Sequence, residues 1–306
     1  MVKKIIIVLI GLLVSSVAVL CFYIYEANYL GDEQVDPTEL VSGISLELND
    51  LYIIAQEENR TDTKTLQNNN FVSVLPDFDG SILSYQEKES LRTAIVLSND
   101  RYELWVQGGN NDWQTVVSNY QIKAGLDINP AESRVVFAEY ANTDLPIRDV
   151  NGWTVYVYDI ENKDLITIAP GYNPQFTQNN GQERVFFESS KGAAVVQVYD
   201  TYISYKPEVA TTYADSEPIL VSPNGQYVLI KNQVLPAYDV YEITWRDPLV
   251  FNPVSQIASE NMNTLSDTRG YAINENQVEE YSLVTGDIIN THDLPGISVP
   301  VGVIVK

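Results

Sequence analysis

The sequence predicts an all-β chain: a β-propeller of about six four-stranded blades behind an N-terminal transmembrane helix. Three observations carry this. A strand–turn–strand unit recurs every 43 to 53 residues, a second apolar strand recurs in step with it, and an uncharged run of 21 residues opens the chain.

The opening run comes first. "MVKKIIIVLIGLLVSSVAVLCFYIYEANYL" carries Lys3 and Lys4 and then no charge from Ile5 to Tyr25. That length matches the ~20 apolar residues a helix needs to span hydrocarbon. Phe22, Tyr23 and Tyr25 gather at its far end, where aromatic rings favour the membrane interface. Lysines precede the span, and Glu26, Asp32 and Glu33 follow it. The positive-inside rule then gives a cytoplasmic stub at residues 1–4, an anchor at 5–25 and an extracytoplasmic remainder, with the chain a single-pass protein of the cell membrane. A cleaved signal peptide is the competing reading, but its apolar region is shorter, ~7–15 residues, and ends in an A-x-A-like site that "YEA" does not supply. Cys21 raises a lipoprotein signal, although "AVLC" lacks the small residue expected before the cysteine.

Residues 26–40 read as a spacer. Asp36-Pro37-Thr38-Glu39 has the order of a helix start, with Asp as cap, Pro in the first turn and Glu three residues on, and Gly43 soon ends it. Residues 41–306 read as the propeller. Within them, "EENRTDTKTLQNNN" from Glu57 to Asn70 reads as a long polar loop. Its Asn59-Arg60-Thr61 sequon is a match expected by chance at this chain length.

The repeat is clearest at "ILVSPNGQYVLIKN", Ile219 to Asn232. Further copies are "LPDFDGSILSY" from Leu75, "INPAESRVVFAEY" from Ile128, "FTQNNGQERVFFES" from Phe176 and "LSDTRGYAIN" from Leu265. Taking the strand starts as Ile82, Val135, Val185, Val228 and Tyr271, the spacings are 53, 50, 43 and 43. The second marker, Tyr158, Tyr199, Tyr241 and Tyr281, recurs at 41, 42 and 40, with Trp105 holding its place in the first unit. Along "WTVYVYDI", Val155, Val157 and Asp159 share one face while Tyr156, Tyr158 and Ile160 share the other. Both faces are largely apolar, as a sheet packed between two others requires. Repeats of ~40–50 residues built of strands indicate a propeller, because a ring covers every sheet face and leaves only short edges. Five copies are visible, and five or seven blades are the near alternatives to six. The sixth blade is expected from Gly43–Gln56, completed by "ISVPVGVIV" at Ile297–Val305.

"SPNGQYVLI" with "VYEITW", and "NPAESRVVFAEY" with "WTVYVYDIENKDLITIA", resemble the WD40-like repeat of TolB-type propellers over about residues 71–294. In that family a Ser-Pro-Asp-Gly-Lys turn precedes an apolar strand. Ser222-Pro223-Asn224-Gly225 follows this pattern with Asn224 in place of Asp. The resemblance implies a propeller and a binding habit, and it carries over no site residues. The separate N-terminal domain of TolB has no room in this chain.

Charge narrows the function. Acidic residues number 41 against 18 basic, a net charge of −23, and all but Lys3, Lys4 and Glu26 of these lie after residue 30. Such a surface repels phosphate backbones and anionic headgroups, so nucleic acid is excluded as a partner and membrane contact is left to residues 5–25. One cysteine precludes an intrachain disulfide, and one histidine with one cysteine precludes a zinc cluster. Motifs for nucleophilic hydrolases, zinc proteases, phosphate loops and dinucleotide binding are missing, so no catalytic residue, metal or cofactor is assigned. His292, in "NTHDLPG", reads as a turn histidine. Asp77-Phe78-Asp79-Gly80 opens like a calcium loop without the later ligands and reads as a tight turn. Trp113 in "NNDWQ" and Trp153 in "NGWTV" stand beside polar loops; they serve blade packing or act as aromatic binding anchors. The expected function is a membrane-anchored protein-binding or scaffold module whose partner is an envelope or cell-surface protein, or a cell-wall polysaccharide. The alternative is an exported glycoside hydrolase or lyase of the same fold, using a pair of carboxylates.

Overall fold

The structure, a computed structural model, describes residues 51–305 except 58–59, 68–69, 76–77, 79, 110–111, 191, 199–202, 210–218, 233, 246–249 and 298. The anchor, the spacer, Cys21 and the acids Asp77 and Asp79 lie outside the described residues.

Among the described residues, twenty-four strands form six four-stranded antiparallel sheets. The first holds β1 (Leu51–Gln56), β2 (Thr61–Gln67) and β3 (Asn70–Ser73), together with the last strand of the chain. The second holds β4 (Ser81–Lys88), β5 (Leu91–Ser98), β6 (Arg101–Gly108) and β7 (Gln114–Asn119). The third holds β8 (Lys123–Ile128), β9 (Arg134–Tyr140), β10 (Trp153–Asp159) and β11 (Asp164–Pro170). The fourth holds β12 (Tyr172–Asn179), β13 (Gln182–Ser189), β14 (Gly192–Val198) and β15 (Ile203–Val209). The fifth holds β16 (Ile219–Val221), β17 (Tyr227–Lys231), β18 (Tyr238–Thr244) and β19 (Val250–Ile257). The sixth holds β20 (Met262–Leu265), β21 (Arg269–Asn274), β22 (Gln277–Ser282) and β23 (Ile288–Asp293). Then β24 (Pro300–Val305) returns to pair with β1, Tyr52 opposite Ile304 and Ile53 opposite Val303. The ring therefore closes with three strands from the start of the described chain and one from its end.

Six apolar clusters fill the six gaps between sheets, which is the direct result of two-sided strands. On β10, Val155 and Val157 pack with Phe176, Val185 and Phe187 of the fourth sheet. On the other face, Tyr158 packs with Leu91, Ile95 and Leu104 of the second sheet. At the closure, Leu51, Ile53 and Val303 pack with Tyr271 and Val278 of the sixth sheet. Tyr52 and Ile304 turn the other way, toward Ile82, Tyr85, Ala94 and Val96 of the second. Burying such side chains contributes roughly 1.5–3 kcal/mol each, so every gap is held by hydrophobic burial.

Strand direction sets two ends of the ring. Each sheet begins at one end, turns back between its first and second strands at the other, and passes to the next sheet at the first end. The chain reaches β1 at Leu51 on the end that carries the first-to-second turns; this is the Leu51 end, and the opposite one is the far end. The first strands touch in succession from β4 round to β24 and line the ring axis, while β4 meets β2 of the first sheet.

The Ser222-Pro223-Asn224-Gly225 turn is built as its sequence implies. Ser222 Oγ accepts from the backbone N–H of Gln226 at 3.1 Å and of Tyr227 at 2.9 Å. Gly225 has φ of 68°, and a Cβ there would lie 2.8 Å from Thr177 Oγ1 and 3.0 Å from Trp245 Cζ2. In "NPAES", Asn129 takes the serine's role, its Oδ1 accepting from Ser133 N and Arg134 N at 2.8 Å each.

Two expectations need correction. The polar run from Glu57 to Asn70 is not one loop, because Thr61–Gln67 is strand β2. Its alternation is hidden by polar side chains that are nonetheless buried: Asp62, Thr63 and Thr65. The copy at Leu75 is one strand early. Ile82 lies on β4, a first strand, whereas Val135, Val185, Val228 and Tyr271 lie on second strands. The motif falls between β3 and β4, which belong to different sheets, and a Gly-containing turn serves a connection between sheets as well as one within a sheet.

Candidate functional site

A cleft of about 530 Å³ opens between the first and second sheets at the Leu51 end. The ends of β2, β3 and β4 and the starts of β1 and β5 form it. Its walls include Tyr52, Thr65, Gln67, Val72, Tyr85, Glu87 and Arg92. At its centre Glu87 joins the two sheets. The Tyr52 and Tyr85 hydroxyls both donate to its Oε2, the latter at 2.8 Å, and Arg92 Nε lies 3.1 Å from its Oε1. The two rings meet edge to face with centroids 4.8 Å apart. Burial alone would push the Glu87 carboxyl up, but hydrogen bonds from Tyr52 and Tyr85 and the charge of Arg92 outweigh it and hold the carboxyl below its usual value. Burial, above all, pushes both phenols far up, so they remain donors at neutral pH.

The six first strands carry two carboxylates, Glu87 and Asp127. Asp127 accepts from Ile128 N through Oδ1 and from Phe176 N through Oδ2, at 2.8 Å each, and so ties β8 to β12. Burial pushes its carboxyl up, against the charge of Lys88 and these two bonds. Gln175 repeats the device one sheet on, its Oε1 accepting from Val221 N at 3.0 Å. Each of the two axial acids is therefore engaged in holding strands together. Among the described residues, no group of three or more His, Cys, Asp or Glu is placed to hold a metal ion.

The two tryptophans singled out by sequence sit at opposite ends of the ring. Trp113 follows β6 at the Leu51 end, half-buried beside Trp105, its ring 6.3 Å from that of Trp105. Trp153 opens β10 at the far end and is 5 % exposed. Its Nε1 donates to Ile147 O at 2.7 Å, and its ring meets Tyr140 and Tyr172. His292 is not in a turn. It lies on β23 opposite Val278, with Nε2 3.2 Å from Asn290 Nδ2, because the Pro-Gly turn begins only after Leu294.

Sequence reasoning passed over Tyr52, Tyr85, Glu87 and Arg92. Their one local signal is "YQEKESLR", in which Tyr85, Glu87 and, across the turn, Arg92 fall on one face of a hairpin. Nothing in the linear sequence points from them to Tyr52.

Ring, ends and axis together decide the fold. The chain is a β-propeller. No family model matches its sequence, and no curated protein matches it either. Among solved structures, TolB from Acinetobacter baumannii superposes with a TM-score of 0.54 at 10% identity, covering 87% of this chain and 68% of that one. A functionally unknown protein from Desulfotomaculum acetoxidans superposes with a TM-score of 0.50 at 12% identity, covering 79% of each chain. At these identities the likeness of the propeller to both is one of fold.

Proposed function

We propose that this propeller is an extracytoplasmic protein-binding module, held at the cell membrane by residues 5–25, that captures an envelope protein with its far end. The carrying observation is the distribution of exposed apolar side chains. Tyr120, Ile147, Val234, Leu235, Val299 and Val301 are all exposed, and all lie in far-end connections or at the far-end start of β24. Val72, Leu165, Val254 and Ile288, the other large exposed apolar residues among those described, lie on fourth strands at the rim. None lies in a turn of the Leu51 end. Exposed Asp100, Asp144, Glu260 and Glu275 stand among the far-end connections, with Arg148 as a neighbouring cation. An apolar and acidic face suits a basic protein partner, and attraction between exposed charges weakens as salt screens it.

Membrane tethering rests on the sequence of residues 1–33, and an exported location suits a net charge of −23. Protease added outside intact cells tests it. Digestion of everything after about residue 26 is the expected result, and full-length protein in the soluble fraction would overturn it.

A further inference from the structure

We propose that the cleft between the first and second sheets binds a neutral saccharide. This site is at the opposite end of the ring from the protein-binding face and stands independently of it.

The volume of about 530 Å³ falls within the range of small-molecule sites, ~300–1,000 Å³. Three features choose the chemical class. The first is charge. Glu87 and Arg92 neutralise each other at 3.1 Å, and the second Glu87 oxygen already accepts from two tyrosines. An anion would meet a guanidinium whose charge is spent and a strongly acidic surrounding surface. A cation would meet a carboxylate already paired with Arg92 and holding two phenol donors.

The second feature is an orphan. Thr65 is 7 % exposed and lines the cleft, yet its hydroxyl has no partner among the described residues. A buried hydroxyl left unpaired costs about 1–3 kcal/mol, and a ligand that donates and accepts at that wall relieves the cost. The Arg92 side chain is half-exposed and uses its Nε on Glu87 and one terminal nitrogen on Gln107, at 3.5 Å, leaving further N–H donors of the guanidinium. The exposed amide of Gln67 adds one more donor and acceptor at the rim.

The third feature is aliphatic surface beside the orphan: Val72, opposite Thr65 in the β2–β3 ladder, and Val74 line the same wall. A sugar ring has a C–H face for such a wall and hydroxyls that both donate and accept for Thr65, Gln67 and Arg92. A wholly apolar ligand would leave those three unmatched.

The test is calorimetric titration of the full chain in detergent with two probes, N,N′-diacetylchitobiose and maltose, and with glucuronate as a charged control. Binding of at least one neutral probe is expected, weakened about three- to tenfold by Thr65→Val and by Arg92→Ala. Thr65→Val keeps the shape of the side chain, and thermal melts that show both variants fully folded at the titration temperature separate lost binding from lost folding. Three results would overturn the proposal: no heat from either neutral probe, binding indifferent to both substitutions in folded protein, or tighter binding of glucuronate. Protein capture at Leu235 is expected to be unchanged in both variants, so failure of either reading leaves the other standing.

Discussion

Ile53 near the start of the ring and Val303 at its end face each other across the β1–β24 ladder, and both side chains are buried against the sixth sheet. This pairing closes the ring. Val303 is 1 % exposed and its near neighbour Val301 is 49 % exposed, so the two give a matched pair of probes. Val303→Asp places an unpaired carboxylate in the gap and is expected to cost at least about 3 kcal/mol. Val301→Asp is expected to stay within about 0.5 kcal/mol. Urea unfolding of both variants checks this. Equal midpoints would mean that β24 does not close the ring.

Gly225 is expected to resist even alanine. Its φ of 68° disfavours any L side chain, and Thr177 and Trp245 occupy the space a methyl would need. The Trp245 indole also donates to Gly225 O at 2.6 Å while Arg184 stacks on its ring at 4.4 Å, so a shifted turn loses both contacts. Gly225→Ala should lower stability by about 1–2 kcal/mol or more, whereas Gly181→Ala, with open space around it, should cost only the backbone strain of its φ of 72°. Thermal midpoints of the two variants make the comparison.

Glu87 makes the seam between the first and second sheets sensitive to acid. Its carboxyl is held below the ordinary value of 4.5 in the folded chain. Such a group stabilises the fold fully above its unfolded value, and that contribution is lost as pH falls through the folded value. Glu87→Gln removes this response. Between about pH 5 and about pH 3, the urea midpoint of the wild type should therefore fall more than that of the variant. Parallel slopes would contradict a role for the Tyr52–Glu87–Arg92 network in holding the seam.

How much of this was legible depended on whether the signal was local. The turn at Ser222–Gly225 was legible because proline, asparagine and glycine each meet a stated backbone need there. The two-sided packing of β10 was legible in the alternation of Val155 and Val157 with Tyr156 and Tyr158. Closure by the terminal strands followed from counting repeats. Strand β2 was not legible, because it buries Asp62, satisfied by Ser73 Oγ at 2.9 Å, on one face and Thr63 and Thr65 on the other. The position of Ile82 was misread because Asp-Gly marks a turn without saying which strands it joins. The cleft was illegible for a further reason. It forms where five strands of two sheets meet, and Tyr52 reaches Glu87 only once the ring has brought the first sheet beside the second.

Capture of an envelope protein by the far end is tested most directly by a photo-crosslinking amino acid placed at Leu235 of the full chain in its native cells, with Glu89, in a turn of the Leu51 end, as the matched control. Both side chains are exposed, so both reagents reach whatever is adjacent. The expected result is a discrete protein adduct at Leu235, diminished when the membranes are crosslinked at high salt, and none at Glu89. Equal adducts at both positions, or none at Leu235 at any salt, would contradict it.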